Sequence, residues 1–159
     1  MALTLTSINR YPIKSCRRDE MPQAEVEPWG LSGDRRWMLV DDEGEVVTAR
    51  ERHQLLLVTP VLDGTALRLH APGRPSLTVK VPDGELATVT IWRSRIDVMP
   101  AAPEAHAWFS ELAGMALRLV YLTIRCAGAR ARDSARRAIG WRSPTGTRCC
   151  WRRRIRLRA

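Results

Sequence analysis

Residues 36–49 have the sequence RWMLVDDEGEVVTA, in which two runs of strand-forming residues flank an acidic turn. The runs are Arg36 to Val40 and Val46 to Ala49, and their aromatic and β-branched side chains fit a pleated, half-buried surface. Asp41-Asp42-Glu43-Gly44 between them supplies residues that favour tight turns. The stretch therefore predicts an antiparallel β-hairpin.

The same pattern recurs through the first 122 residues. Turn signals at Asp63-Gly64, Pro72-Gly73-Arg74-Pro75 and Pro82-Asp83-Gly84 separate further short apolar runs. Strands at this spacing are typical of an antiparallel barrel or sandwich, so we expect a mainly β fold, a small antiparallel β-barrel. The additional predicted strands are Leu3 to Ile8, Ala24 to Glu27, Leu55 to Val61, Ala66 to Leu69, Leu77 to Val81, Val89 to Val98 and Leu117 to Leu122.

One segment has helical rather than strand periodicity. Between Pro103 and Gly114, the apolar residues Ala105, Trp108, Phe109 and Leu112 fall on one face of a helix. Proline near the first turn and glycine after the last are common helix boundaries. The sequence therefore predicts one short amphipathic helix near the C-terminal end of the barrel.

The formal net charge of +9 is unevenly distributed. Residues 123–159 hold 12 arginines and one acidic residue, Asp133, whereas residues 1–122 hold 14 basic and 16 acidic residues. The excess positive charge therefore lies entirely in the last quarter of the chain, which also lacks a lasting periodicity. We expect a folded domain over residues 1–122 and an arginine-rich, disordered tail over residues 123–159.

The spacing of the cysteines and histidines does not indicate a metal site or a catalytic site. Cys16 lies in the predicted domain, and the pattern of the four cysteines implies neither a disulfide framework nor a zinc site. The three histidines are scattered, with no Ser-His-Asp order or paired carboxylate nearby. We expect Cys16 to be a small buried residue, and we assign no catalytic residue and no metal ligand. The other cysteines are Cys126, Cys149 and Cys150, and the histidines are His53, His70 and His106.

No apolar run approaches the roughly 20 residues that a transmembrane helix needs. The N-terminal sequence MALTLTSINRYPIKS also lacks the basic, apolar and small-residue order of a signal peptide. We therefore expect a cytoplasmic protein without a membrane partner.

Four ordered motifs resemble the N-terminal β-barrel domain of MOSC-domain proteins, the family of the mitochondrial amidoxime-reducing component and its bacterial relatives. The resemblance covers residues 3 to about 122, including the late helix and last strand. The motifs are Tyr11-Pro12-Ile13-Lys14-Ser15-Cys16, Gly30-Leu31, Gly33-Asp34-Arg35-Arg36-Trp37-Met38-Leu39-Val40 and Val47-Thr48-Ala49-Arg50.

The resemblance implies that the barrel packs against a second, MOSC domain and that the molybdenum cofactor (molybdopterin) lies between the two. By motif position, Lys14, Ser15 and Arg35 would contact the phosphate and pterin of the cofactor. Their chemistry is suitable, because lysine supplies a compact charge, serine a hydroxyl donor and arginine a planar fork for phosphate oxygens. The implied parent activity is reduction of N-hydroxylated compounds, with electrons from an iron–sulfur or flavin protein.

Simpler structural roles remain open for the same residues. Lys14 and Ser15 could be solvated turn residues, and Arg35 and Arg36 could be surface residues that cover the indole of Trp37. Arg50 could face the same site or pair with Glu51 or Asp34 on the surface. The sequence does not decide between these roles.

The tail over residues 123–159 has two explanations. When degenerate codons for residues 136–151 are translated two nucleotides further on, they permit Pro-Gly-Asp-Arg-Val, Ala-Phe-Ala-Asp-Gly-Tyr and Pro-Leu-Leu-Leu, in the order of a linker segment of the family. This agreement favours a frameshift between Leu122 and Cys126. The chain would then be an inactive, truncated fragment that lacks the MOSC domain and does not hold the cofactor stably. The alternative is a non-enzymatic binding module whose basic tail binds nucleic acid.

Overall fold

The computed structural model describes residues 4–27, 30–122 and 155–158. Most of the elements are strands, with one α-helix in the described part of the chain. In chain order they are β1 (Ile8–Arg10), β2 (Asp19–Met21), β3 (Gln23–Glu27), β4 (Gly30–Leu31), β5 (Trp37–Val40), β6 (Val46–Val47), a 3-10 helix (His53–Leu57), β7 (Thr59–Asp63), β8 (Ala66–His70), β9 (Leu77–Lys80), β10 (Ala87–Ile91), β11 (Ser94–Pro100), α1 (Pro103–Ala113), β12 (Arg118–Tyr121) and β13 (Ile155–Arg158).

A five-stranded antiparallel sheet in the order β10-β11-β12-β5-β6 forms the body of the fold. The sheet curls until its two outer strands meet, where the Thr90 N–H donates to the Gly44 carbonyl oxygen at 2.8 Å. Glu45 and Thr90 form an isolated bridge at the same point. The expected mainly β fold with a small antiparallel barrel and one short helix is confirmed.

Strand β5 separates two apolar cores. Met38 and Val40 contribute to a cluster on one face of the curled sheet, with Val89, Val98 and Val120. Trp37 and Leu39 belong to the larger cluster on the other face, which α1 and the three-stranded sheet β7-β8-β9 cover. All four residues of β5 are buried, because alternate side chains enter different cores. This explains why the strand is a continuous apolar run rather than an alternating one.

The predicted helix is confirmed as α1. It buries Ala105, Trp108 and Phe109, and it ends at Gly114 in the left-handed conformation with φ 66°. Leu112 is only partly buried on the core. The Trp108 indole N–H donates to the Pro75 carbonyl oxygen at 2.9 Å, which ties the helix to the loop between β8 and β9.

The strand predicted over Leu55 to Val61 is wrong in its first half. His53–Leu57 is a 3-10 helix, and only Thr59–Asp63 is a strand. The Val58 N–H donates to the Leu55 carbonyl oxygen at 3.2 Å, so these two buried residues are three positions apart. Leu56 and Leu57 between them remain exposed, which matches three residues per turn rather than strand alternation.

Other boundaries also differ from the predictions. The run from Val89 to Val98 is a hairpin, β10 and β11, with a turn at Trp92 and Arg93. The first strand begins only at Ile8 and pairs with β2, which was not predicted. The turn at Pro82-Asp83-Gly84 connects two different sheets rather than a hairpin.

The C-terminal tail is described only over Ile155–Arg158, which form β13 and pair antiparallel with β3. The remaining positions of the predicted tail, 123–154 and 159, lie outside the described residues. The expectations of disorder, a frameshift and nucleic-acid binding in this tail therefore stay predictions. Within the described ranges, no helix combines the length and apolar character that crossing a membrane requires.

Gly33 has a backbone conformation that favours glycine, and it lies close to the Leu62 side chain. Its φ is 78°, and a Cβ atom there would lie 2.5 Å from Leu62 Cδ1. Gly64 has a similar φ of 60° but open space around it. Since the end of the Leu62 side chain must shift, we expect Gly33→Ala to lower the free energy of unfolding by about 1–3 kcal/mol and Gly64→Ala by about 1 kcal/mol, measured by urea denaturation. Equal losses in the two variants would contradict the packing explanation.

His106 should make stability depend on pH. Its Nδ1 accepts the Leu119 N–H at 3.1 Å, which requires the unprotonated nitrogen. Burial lowers the pKa of His106 below its ordinary 6.5, and the nearby Arg118 charge lowers it further. The Glu104 carboxylate acts in the opposite direction. This contribution to stability is therefore complete above pH 6.5 and is lost as the pH falls through the lowered pKa in the folded state.

The measurement is urea unfolding at pH 7.5 and at decreasing pH for the wild type and for His106→Asn. The asparagine can offer an acceptor oxygen but does not titrate, so we expect the variant to lose less stability on acidification. An identical pH dependence in both proteins would exclude a role for His106.

Candidate anion-binding site

Two sequence motifs are joined side by side through their backbones. The Arg35 N–H donates to the Tyr11 carbonyl oxygen at 2.7 Å, and the Trp37 N–H donates to Pro12 at 3.0 Å. The Lys14 N–H in turn donates to the Trp37 carbonyl oxygen at 2.9 Å. Residues 11–14 therefore run parallel to residues 35–37, which places the two predicted cations on neighbouring segments.

Asp34 reinforces this junction and orients Arg35. One carboxylate oxygen accepts the Tyr11 N–H at 2.7 Å, and the other forms an ion pair with the Arg35 guanidinium. The guanidinium carbon also lies 5.1 Å from the centre of the Tyr11 ring. The Arg35 side chain nevertheless remains 60% exposed, so most of its donors are accessible to a ligand.

Lys14 is a partly buried cation next to a second cation. Burial and the nearby charge of Arg35 lower the pKa of Lys14, and the carboxylate of Glu51 acts in the opposite direction. The Lys14 ammonium lies 4.5 Å from the centre of the Trp92 ring, within the range of a cation–π interaction. An anion bound between Lys14 and Arg35 would relieve their mutual repulsion.

Unfavourable backbone conformations concentrate at this place. In the described part of the chain, the non-glycine residues with positive φ are Ser15 at 69°, Arg35 at 49° and Trp92 at 55°. Ser15 lies in the turn that the Cys16 N–H closes on the Ile13 carbonyl oxygen at 3.3 Å. Glycine would avoid the strain of each position, which is of order 1–3 kcal/mol. Such strain is typical of functional sites and favours a role for these side chains.

The structure therefore brings together Lys14, Ser15 and Arg35, the three residues predicted to contact the cofactor. Whether they bind it stays a prediction. Arg36 differs from its neighbour, because it is buried and pairs with Glu27 at 3.0 Å. Only Arg35 of the arginine pair can therefore present its side chain to a ligand in solution.

The fourth motif lies beside the same site. Glu51 accepts the Thr48 N–H at 2.8 Å, and the charge of Glu51 reaches Lys14. Arg50 is exposed, and the two carboxylates suggested as its partners contact other groups, since Asp34 pairs with Arg35 and Glu51 with Thr48.

The cysteine expectation is confirmed. Cys16 is a buried free thiol, and burial raises its pKa to about 12, so it is a poor nucleophile in the folded protein. Among the described residues, no three His, Cys, Asp or Glu side chains are grouped closely enough to hold a metal ion.

The sequence did not indicate that Trp92 lies beside Lys14, because Trp92 was placed inside a predicted strand. The run from Val89 to Val98 is longer than a typical strand, and Trp92-Arg93-Ser94 interrupts its apolar alternation. That interruption was the available signal for a turn. A groove of about 510 Å³ lies elsewhere in the domain, between β9 and the start of α1.

Comparison with known proteins identifies the family. A family model described as the MOSC N-terminal beta barrel domain matches residues 2–116. The chain belongs to this family. The chain is 31% identical over 125 residues to a molybdenum cofactor sulfurase of Danio rerio, covering 74% of this chain and 15% of that protein.

Two further relatives are mitochondrial amidoxime reducing component 2 of Rattus norvegicus and of Homo sapiens. The chain is 32% identical to the first over 133 residues and 31% identical to the second over 137 residues. The matches cover 79% and 81% of this chain, but only 39% and 41% of the relatives. The chain therefore spans less than half the length of these curated relatives.

A solved structure supports the fold. The solution structure of a protein from Bordetella bronchiseptica, determined in a structural genomics programme, aligns with a TM-score of 0.53 and 22% identity. The alignment covers 66% of this chain and 90% of the other. At this level of identity the likeness concerns the fold alone.

Asp34 should stabilise the junction mainly through the Tyr11 N–H. We expect Asp34→Ala to lower the free energy of unfolding by about 1–3 kcal/mol, because it leaves that N–H without its acceptor. Asp34→Asn keeps an acceptor oxygen and loses only the exposed ion pair, so its loss should stay below about 1 kcal/mol. Urea denaturation of both variants tests this. Equal losses would show that the ion pair, not the backbone hydrogen bond, is decisive.

Proposed function

We propose that Lys14, Ser15 and Arg35 bind the phosphate of a molybdenum cofactor. The observation that carries this proposal is the placement of Lys14 and Arg35 next to each other across the joined segments 11–14 and 35–37. Two cations beside a strained serine turn suit a phosphate, which accepts charge-assisted hydrogen bonds from lysine, arginine and a hydroxyl. The family membership and the printed names of the relatives support molybdenum cofactor as the source of that phosphate.

The residues present fit this group chemically. Lys14 would act as a compact positive charge, the Arg35 guanidinium would grip phosphate oxygens through its planar fork, and Ser15 would donate its hydroxyl. Asp34 holds the guanidinium near the Tyr11 ring, so Arg35 needs less reorganisation on binding. When bound, the cofactor supplies the redox chemistry at molybdenum, and this domain orients it.

We further propose that the domain serves a molybdenum-dependent oxidoreductase that reduces N-hydroxylated compounds. The support is the likeness to the amidoxime reducing components, which the relatives' names describe. In this scheme a MOSC domain covers the other side of the cofactor, and an iron–sulfur or flavin protein supplies electrons. The domain contributes the phosphate grip and not the molybdenum ligand, so it has no activity by itself.

The test is binding of inorganic phosphate to the full chain at low ionic strength. Changes in amide NMR chemical shifts or calorimetry measure the affinity. We expect Lys14→Ala and Arg35→Ala each to weaken phosphate binding at least about tenfold, since a charged hydrogen bond is worth about 1.5–3 kcal/mol. Lys80→Ala and Arg68→Ala are matched controls, because both residues are exposed cations on β9 and β8, outside the proposed site.

Unchanged phosphate affinity in Lys14→Ala and Arg35→Ala would refute the site. Equal weakening by the control substitutions would indicate a general effect of net charge instead. Addition of molybdopterin to the wild type and to Arg35→Ala then tests the identity of the ligand, with tighter binding to the wild type expected.

A further inference from the structure

Trp92 occupies an unusual position for a large apolar side chain. It lies in the two-residue turn between β10 and β11, where Ile91 pairs with Ser94. It is 78% exposed, the highest fraction among the large hydrophobic residues of the described segments. Since exposure of an indole to water is unfavourable, packing within the domain does not explain a tryptophan here.

The backbone conformation of Trp92 is also unusual for a tryptophan. The φ of Trp92 is 55°, and the first residue of a two-residue hairpin turn with positive φ is usually glycine, asparagine or aspartate. A bulky aromatic residue is disfavoured in this conformation. Trp92 shares this strain with Ser15 and Arg35, two of the proposed phosphate-binding residues.

The indole is in direct contact with the proposed site. The Lys14 ammonium lies against one face of the ring, 4.5 Å from its centre. The high exposed fraction of Trp92 leaves its remaining surface accessible. Arg35 lies against Tyr11 in the same way, at 5.1 Å, so each of the two cations has an aromatic neighbour.

We propose that Trp92 determines ligand specificity by stacking on a planar heterocycle whose attached phosphate is held by Lys14 and Arg35. The ligand class is therefore a phosphate monoester of a flat, bicyclic ring, rather than a free phosphate or a sugar phosphate. Stacking between an aromatic side chain and a nucleobase strengthens binding by about 5- to 150-fold, which sets the size of the expected preference. This inference rests on the proposed phosphate site.

The experiment compares three probes on the full chain: inorganic phosphate, ribose 5-phosphate and guanosine 5′-monophosphate. In the wild type, we expect the guanosine phosphate to bind about tenfold more tightly than ribose 5-phosphate. In Trp92→Ala, the affinities for guanosine 5′-monophosphate and ribose 5-phosphate should differ by no more than about twofold. The affinity for inorganic phosphate should fall by no more than about fivefold, through loss of the cation–π contact. Trp92→Phe should retain most of the preference.

Arg93→Ala is the matched control, because it changes the other turn residue without removing the ring, and it should keep the preference of the wild type. A wild-type protein that binds all three probes equally, or a Trp92→Ala variant with an unchanged ratio, would overturn the stacking role while leaving the phosphate site intact. Absence of phosphate binding by the wild type would instead overturn the proposed function, and this inference with it. Circular dichroism of Trp92→Ala, with Trp92→Phe as the second variant, distinguishes loss of stacking from loss of fold.

Discussion

The site depends on the backbone hydrogen bonds between residues 11–14 and 35–37. These bonds attach the loop after β1 to the start of β5. Strand β5 supplies side chains to both apolar cores. A shift of β5 by one residue would exchange the side chains of its two faces and would also move Arg35 relative to Lys14. The packing of the interior therefore fixes the spacing of the cations at the surface.

The same dependence explains why the site lies in turns rather than on strands. Gly33 and Asp34 form the turn that precedes β5, and Ser15 lies in the turn after Ile13. Each turn is anchored on a buried residue, Ile13 on one side and Trp37 on the other, both 0% exposed. Because these turns are attached to buried residues, their residues can keep a left-handed backbone conformation that would not persist in an isolated loop.

Features set by local chemistry were predictable from the sequence. The β5–β6 hairpin follows from its acidic turn, and α1 follows from its apolar period between Pro103 and Gly114. The 3-10 helix at His53–Leu57 was not predictable, because the four successive apolar residues from Leu55 to Val58 suit a buried strand equally well. The turn at Trp92 was signalled only by a short break in the apolar alternation, and the pairing of Arg36 with Glu27 depends on a contact between separate segments, which periodicity does not contain.

The motifs predicted Lys14, Ser15 and Arg35 as cofactor contacts, but they could not show how exposed these side chains are. Arg35 is 60% exposed and Trp92 is 78% exposed, so a ligand bound there as proposed would contact this domain on one side only. Ionic contacts that remain in water are weak, and they strengthen when a second surface excludes solvent. Under the proposed function, the strained turns and the adjacent cations would form one side of a phosphate-binding site. Its affinity would increase sharply when a covering domain lowers the local dielectric around the phosphate.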